Sequence, residues 1–262
     1  MRFGLLAGEH ARDFVVIGGL NPDYLAPDAP VPHQGTTDID LLFALGFDEL
    51  ASAPDFAWID AALSAGGFVS ANKWRWDAVL KNARVRLEFL CDVRDHTADT
   101  VPLPGSQSAV ASKLAGPAAA LLDPIVREIP VPAAVREDFT AAPQRLALRF
   151  ANLGGYLLAK AAAARSRVLA KDKYDLMFVV LFNEGGPAAA ARAVSKQLET
   201  AVEAADSADI RATMTSYLDS SGSWARTFAQ TMIDTGDPSS EEQLRTDASV
   251  AAGIFLKEIV SE

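Results

Sequence analysis

Residues Asp13-Phe-Val-Val-Ile-Gly-Gly-Leu20 and Gly35-Thr-Thr-Asp-Ile-Asp-Leu-Leu-Phe43 decide how this chain reads. The first is a continuous apolar run that ends in Gly18-Gly19, as a buried strand ends in a turn. In the second, which predicts a strand over Asp38 to Phe43, Asp38 and Asp40 alternate around Ile39. Successive side chains of a strand point to opposite faces. Both carboxylates therefore face one way, and Ile39 and Leu41 face the core. Two neighbouring carboxylates stay ionised cheaply only when a cation neutralises them. Hard oxygen donors without His or Cys suit Mg²⁺, which commonly shares its coordination with substrate phosphates. Gly18 and Gly19 let main-chain N–H groups approach a phosphate closely, and Thr36 and Thr37 add hydroxyl donors.

A third carboxylate follows. In Arg84-Val-Arg-Leu-Glu-Phe-Leu-Cys91 the positions Val85, Leu87, Phe89 and Cys91 are apolar, so Arg84, Arg86 and Glu88 share the other face. If this strand lies beside the Asp38 strand, Glu88 joins the two aspartates. Such a set holds metal and deprotonates an attacking hydroxyl. Asp92, further along the same face, is the alternative third carboxylate. Arg84 and Arg86 either bind phosphates or pair with the acids.

Around this core the first hundred residues read as mixed α/β. Phe3 to Ala11 reads as a short helix. Residues 21–35 hold four prolines and read as loop. Phe47 to Ala65 reads as a helix closed by Gly66-Gly67. Phe68 to Leu80 and Ala83 to Val93 read as a hairpin turning at Lys81-Asn82. Beyond Pro102, Pro104 and Gly105 the composition shifts to alanine-rich stretches with helical spacing, at 106–122, 133–150, 151–168, 172–183, 186–206, 207–219, 222–234 and 239–260. The expected organisation is an α/β domain over 1–105 and an all-helical domain over 106–262.

Composition narrows the function classes. Half of the 262 residues are hydrophobic and 22% are charged, as in ordinary globular proteins. The longest apolar run, Leu176 to Phe182, falls well short of the roughly 18 residues of a membrane span. The N-terminus has only a four-residue apolar stretch before Glu9, too short for a secretory signal, so the expected compartment is the cytoplasm. One cysteine, Cys91, excludes an internal disulfide and a Cys-cluster zinc site. Cys91 reads as a small buried hydrophobe. His10, His33 and His96 are scattered, against a His-based metal site. His33, in the Pro-rich loop, reads as solvent-exposed. Trp74 and Trp76 share a strand face and read as packing residues.

The net charge of −10 speaks against a large nucleic-acid interface. The charge is uneven, however. Residues 1–105 carry 8 Lys/Arg against 15 Asp/Glu, a net of −7. Residues 136–173 carry 8 against 3, a net of +5, and residues 184–262 return to 6 against 13.

The pattern of Gly-Gly, a spacer, Thr-x-Asp-x-Asp-Leu and an acid on a later strand resembles the polymerase-β-like nucleotidyltransferase superfamily. Within it the chain is most similar to the AbiEii/AbiGii and MenT group of bacterial toxins. Those carry a helical lysine, a downstream arginine and a basic-Asp-x-aromatic-Asp-Leu element. Here these read Lys160-Ala-Ala-Ala-Ala-Arg165 and Lys171-Asp-Lys-Tyr-Asp-Leu176. The resemblance spans roughly 14–183. It departs from the group at Gln34, where many relatives have arginine, and in a longer, proline-rich spacer.

The resemblance implies that Asp38, Asp40 and Glu88 bind Mg²⁺ and that Gly18, Gly19, Thr36 and Thr37 contact the triphosphate of an NTP. It implies that Lys160 binds a phosphate and that Asp175 orients Lys160 or the nucleotide. Lys160 and Asp175 would then meet the aspartates in a cleft between the domains. The implied reaction is transfer of an NMP to the 3′ end of tRNA, with the basic band at 136–173 as footprint and an antitoxin encoded alongside. A small-molecule or protein acceptor, and a non-catalytic nucleotide-binding module of the same fold, stand as alternatives.

Overall fold

The computed structural model describes residues 1–45, 54–80, 83–93, 97–139, 142–167, 169–200 and 205–259. The chain divides into two compact units. Unit 1 comprises Met1–Ile17, Thr37–Ala115 and Asp123–Ala151. Unit 2 comprises Gly18–Thr36, Gly116–Leu122 and Asn152–Glu262. The architecture is mixed α/β, with a mixed open sheet and a run of C-terminal helices.

Unit 1 is built on the sheet. Its strands are β1 (Phe14–Ile17), β2 (Asp38–Phe43), β3 (Val69–Ser70), β4 (Arg75–Leu80), β5 (Ala83–Cys91), β6 (Thr100–Pro102), β7 (Val110–Lys113), β8 (Ile125–Pro130) and β9 (Arg145–Phe150). The main order is β3-β4-β5-β2-β1-β9-β8, with β7 on the far part of β5 and β6 on β7. β2 runs antiparallel to β1 and parallel to β5. One sheet face is apolar because the odd positions of β2 and β5 are apolar: Leu41, Phe43, Leu87, Phe89 and Cys91 are all buried. Helices α1 (Arg2–Ala7) and α3 (Trp58–Gly66) supply aromatic partners. Phe3 sits 5.7–6.1 Å, centroid to centroid, from the rings of Phe14, Trp58, Phe68 and Phe89. Edge and tilted ring pairs of this kind add to the area term of burial.

Unit 2 contains α2 (Pro22–Leu25), α5 (Leu153–Ser166), α6 (Ala170–Phe182), α7 (Gly186–Thr200), α8 (Ala205–Thr215), α9 (Ser223–Asp234) and α10 (Glu241–Glu258). The short α4 (Ala133–Arg136) belongs to unit 1. Asn152 caps α5, its Oδ1 accepting from the Gly155 N–H at 2.8 Å, and Ser240 caps α10 in the same way. The first turn of α5 lies unusually close to its neighbours. A Cβ on Gly154 would stand 2.3 Å from the Ala193 carbonyl oxygen, and one on Gly155 2.8 Å from Ala120 Cα. Glycine to alanine in a helix ordinarily stabilises, by roughly 1 kcal/mol. Here the sign should invert. Gly154→Ala is expected to destabilise unit 2 by about 2 kcal/mol through overpacking against backbone, read as a lower urea midpoint.

Several expectations are corrected. The helical spacing read over 106–122 and 133–150 is overturned: these stretches hold β7 and β9, with only short helical turns beside them. In Arg145-Leu-Ala-Leu-Arg-Phe150 the true period is two. Leu146, Leu148 and Phe150 are buried, and Arg145 and Ala147 are exposed. Alanine, counted as apolar, hid that alternation. Residues 3–11 form α1 followed by a 3₁₀ turn at Gly8–Arg12. The strand read from Phe68 is broken between Ser70 and Arg75, so Trp74 precedes β4, where the Arg75 guanidinium lies 4.1 Å from its ring centre. Of the helix read over 47–65, residues 47–53 lie outside the described residues, and α3 begins at Trp58. The turn at Lys81-Asn82 and His96 also lie outside them, although Leu80 pairs with Ala83 as a hairpin requires. No helix among the described residues is long and apolar enough to cross a membrane.

Candidate active site

In unit 1, β2 carries the paired aspartates. Its register sets Asp38 opposite Arg86 and Asp40 opposite Glu88 on the parallel β5. Register partners share a face, so Asp38, Asp40, Arg86 and Glu88 form one polar patch at one end of a face whose other end holds Val15, Leu42 and Leu90. Both aspartates are half-buried, and Glu88 is 8% exposed. β4 completes the patch with three ion pairs. Arg75 Nε donates to Glu88 Oε1 at 2.7 Å. Asp77 accepts from Arg86 Nε at 2.9 Å and from Arg84. These two guanidiniums hold the Asp77 carboxyl below the usual carboxylate range, and Asp77 in turn raises Arg86. The choice left open for Arg84 and Arg86 thus falls to pairing with an acid, though with Asp77 rather than Glu88.

The donors suit a hard cation, but not as a closed cage. Among the described residues no group of three His, Cys, Asp or Glu side chains is placed to hold a metal ion. Glu88 already has Arg75 on one oxygen. The fit is to an ion held by Asp38 and Asp40 and completed by substrate oxygens, which is how Mg²⁺ is usually bound. Asp92 is half-buried just past the end of β5, and Glu88, not Asp92, stands in register with Asp40.

In unit 2, Lys160 of α5 and Asp175 of α6 meet. Lys160 Nζ donates to Asp175 Oδ2 at 2.7 Å and to Asp172 Oδ1 at 3.1 Å. Arg167 adds a second cation to Asp172, with Nε 2.8 Å from Oδ2. All three members of the Lys160 cluster are buried, with Asp175 fully so. Burial alone would raise the Asp175 carboxyl. The Lys160 charge and a hydrogen bond from His33 outweigh it and bring the value down to about 2. Lys160 therefore has its charge answered by two carboxylates.

His33 was missed. It is read from sequence as exposed, but its side chain is fully buried, with Nε2 2.8 Å from Asp175 Oδ1. Its contact lies 142 residues away along the chain, and nothing local in Pro-His-Gln-Gly signals it. Lys171 was missed as well. Its Nζ donates to the Gly35 carbonyl at 3.0 Å. A Cβ on Gly19 would stand 2.7 Å from Thr36 Cβ and 3.1 Å from Lys171 Nζ. Gly19 is thus a place where only glycine fits, with a threonine and a lysine packed directly against it. Gly18 turns the chain there with φ +78°. Thr37, in unit 1, is exposed, with its hydroxyl 3.5 Å from Asp38 Oδ1.

The basic band at 136–173 is not one solvated stripe. Lys160 and Lys173 are buried, and Lys173 Nζ lies 4.9 Å from the centre of the Trp224 ring. Arg145 and Arg165 are exposed. Cys91 is fully buried, and that burial pushes its thiol up to about 11, so it is a packing residue. Comparison of the chain with family models, curated proteins and solved structures gives no match to any of them.

Proposed function

We propose that this chain is a Mg²⁺-dependent nucleotidyltransferase with a polymerase-β-like catalytic fold, which moves an NMP from an NTP to the 3′ end of tRNA. The observation that carries the reading is the pair Asp38 and Asp40 on one face of β2, with Glu88 of β5 in register beside Asp40. Two neighbouring carboxylates on one strand face stay ionised cheaply only when a cation neutralises them, and a cation there suits an anionic substrate.

Each residue then has a task. Asp38 and Asp40 bind the ion, which when present neutralises charge on the triphosphate. The acceptor hydroxyl oxygen bonds to the α-phosphorus as the bond from that phosphorus to the bridging oxygen breaks. Pyrophosphate leaves with the electron pair. Glu88 Oε2 takes the hydroxyl proton, while Arg75 on Oε1 fixes the carboxylate. The Gly18-Gly19 backbone and the Thr36 and Thr37 hydroxyls donate to phosphate oxygens. Lys171, beside Gly19, supplies the positive charge that sequence reasoning gave to Lys160. Lys160 instead stays with Asp172 and Asp175, so Asp175 orients Lys160. An antitoxin as partner belongs to the same reading.

The test is incubation of the purified chain with Mg²⁺ and each α-labelled NTP, with and without total tRNA, following label and pyrophosphate together. Label on tRNA with stoichiometric pyrophosphate is the expected result. Label on protein or on a small molecule would replace the acceptor. A second reading, a nucleotide-binding module without catalysis, is favoured by the neutralised Lys160 and the Arg75-bound Glu88. Nucleotide binding without pyrophosphate release would select it.

A further inference from the structure

Resting on the nucleotidyltransferase reading, we propose that His33 is a positioning residue that sets the Gly35–Thr36 turn to receive the triphosphate, acting through the Gly35 amide and never touching the substrate. The segment around it is rich in proline and has no strand or helix ladder between Ala26 and Thr37. Its shape must come from side chains. Gly35 has φ +74°, which favours glycine. Its N–H donates to His33 Nδ1 at 3.1 Å, and its carbonyl accepts from Lys171 Nζ at 3.0 Å. Both polar ends of one residue are held by side chains.

His33 is itself locked. Because Nδ1 accepts from Gly35, the ring proton sits on Nε2 and is donated to Asp175 Oδ1 at 2.8 Å. The ring stacks on Tyr174 at 5.2 Å and 23° and meets Phe178 edge-on at 5.2 Å. It cannot rotate without leaving an aromatic slot on α6 and stripping a buried carboxylate of a donor. The direction of the Gly35 amide, and so of the Thr36 residue packed on Gly19, follows from that ring. A glycine turn aimed in advance loses less freedom on binding an anion than one that must be ordered by it.

Two substitutions separate positioning from mere stability. In His33→Gln the amide reaches Asp175 but gives Gly35 no acceptor. In His33→Asn the carbonyl takes the place of Nδ1 and the donor to Asp175 is lost. The full chain is titrated by calorimetry with inorganic tripolyphosphate in Mg²⁺, and melting is followed in parallel. His33→Gln should bind about tenfold more weakly, the equivalent of one lost hydrogen bond, with its melting point near that of the unaltered chain. His33→Asn should bind within about twofold of the unaltered chain and melt lower. Equal binding by His33→Gln overturns the proposal, and so does binding that falls in both variants in step with melting. Should neither variant fold, the ¹⁵N spectrum of the unaltered imidazole decides: protonation at Nε2 is expected, and protonation at Nδ1 overturns it. Failure of the unaltered chain to bind tripolyphosphate would instead remove the nucleotidyltransferase reading, and this inference with it.

Discussion

Asp38→Asn and Asp40→Asn are each expected to lower NMP transfer by about 10³-fold or more while leaving the fold intact. A metal-binding carboxylate contributes several kcal/mol of charge stabilisation in phosphoryl transfer, and each 1.36 kcal/mol is tenfold in rate. The fold should survive because the two side chains sit at the polar end of a sheet face, half-buried, and not in the aromatic cluster on the other face. Losing one of two neighbouring carboxylates relieves their mutual repulsion in the metal-free chain, which offsets the lost attraction of Asp38 to Arg86. The checkable pattern is therefore crossed: transfer lost, and melting temperature without metal unchanged or raised. Loss of both together would mean that the aspartates are structural.

The second large effect is on stability. Lys160→Met strips the buried Asp172 and Asp175 of the cation they share, leaving Arg167 on Asp172 and the His33 ring on Asp175. Breaking a buried ion pair by removing one partner costs about 3–5 kcal/mol. For a chain of this size that is a drop of roughly 10 °C or more in melting temperature. The same network predicts the acid limb of the stability curve. Lys160 and His33 hold the Asp175 carboxyl at about 2 in the folded chain, below the ordinary aspartate value of 3.8. A depressed carboxylate gives stability that is whole above the unfolded value and is lost as pH falls from there through the folded value. Stability of the unaltered chain should thus fall between pH 3.8 and about 2, and Asp175→Asn should flatten that slope while being less stable at neutral pH. An unchanged slope would mean that Asp175 is not held by Lys160 and His33.

Much of the sheet patch was legible because strand alternation is a short-range rule. Asp38, Ile39 and Asp40 fix which side of β2 is polar, and the same rule applied to Arg84–Cys91 puts Glu88 on the polar side of β5. The register that sets Glu88 beside Asp40 is long-range, and only the fold supplies it. Lys160 and Asp175 are linked in the sequence only through the resemblance to the toxin group, and Asp172, three residues before Asp175 on α6, shares the lysine. The period of two in β9 is hidden because alanine at 147, apolar yet outward-facing, blurs it inside an alanine-rich context. His33 and Lys171 were illegible for the opposite reason: each makes its decisive contact more than 130 residues away, through a loop with no periodicity to read. Buried polar residues of loops escape sequence patterns, since their partners are chosen by tertiary packing.

The most direct measurement is anomalous diffraction from crystals of the full chain grown with Mn²⁺ and a non-hydrolysable NTP analogue, with Mn²⁺ standing for Mg²⁺. The account predicts an anomalous peak within coordination distance of both Asp38 and Asp40 and of phosphate oxygens, absent in Asp38→Asn crystals. Nucleotide bound with its phosphates away from these aspartates, or a peak on other residues that persists in Asp38→Asn, would contradict it.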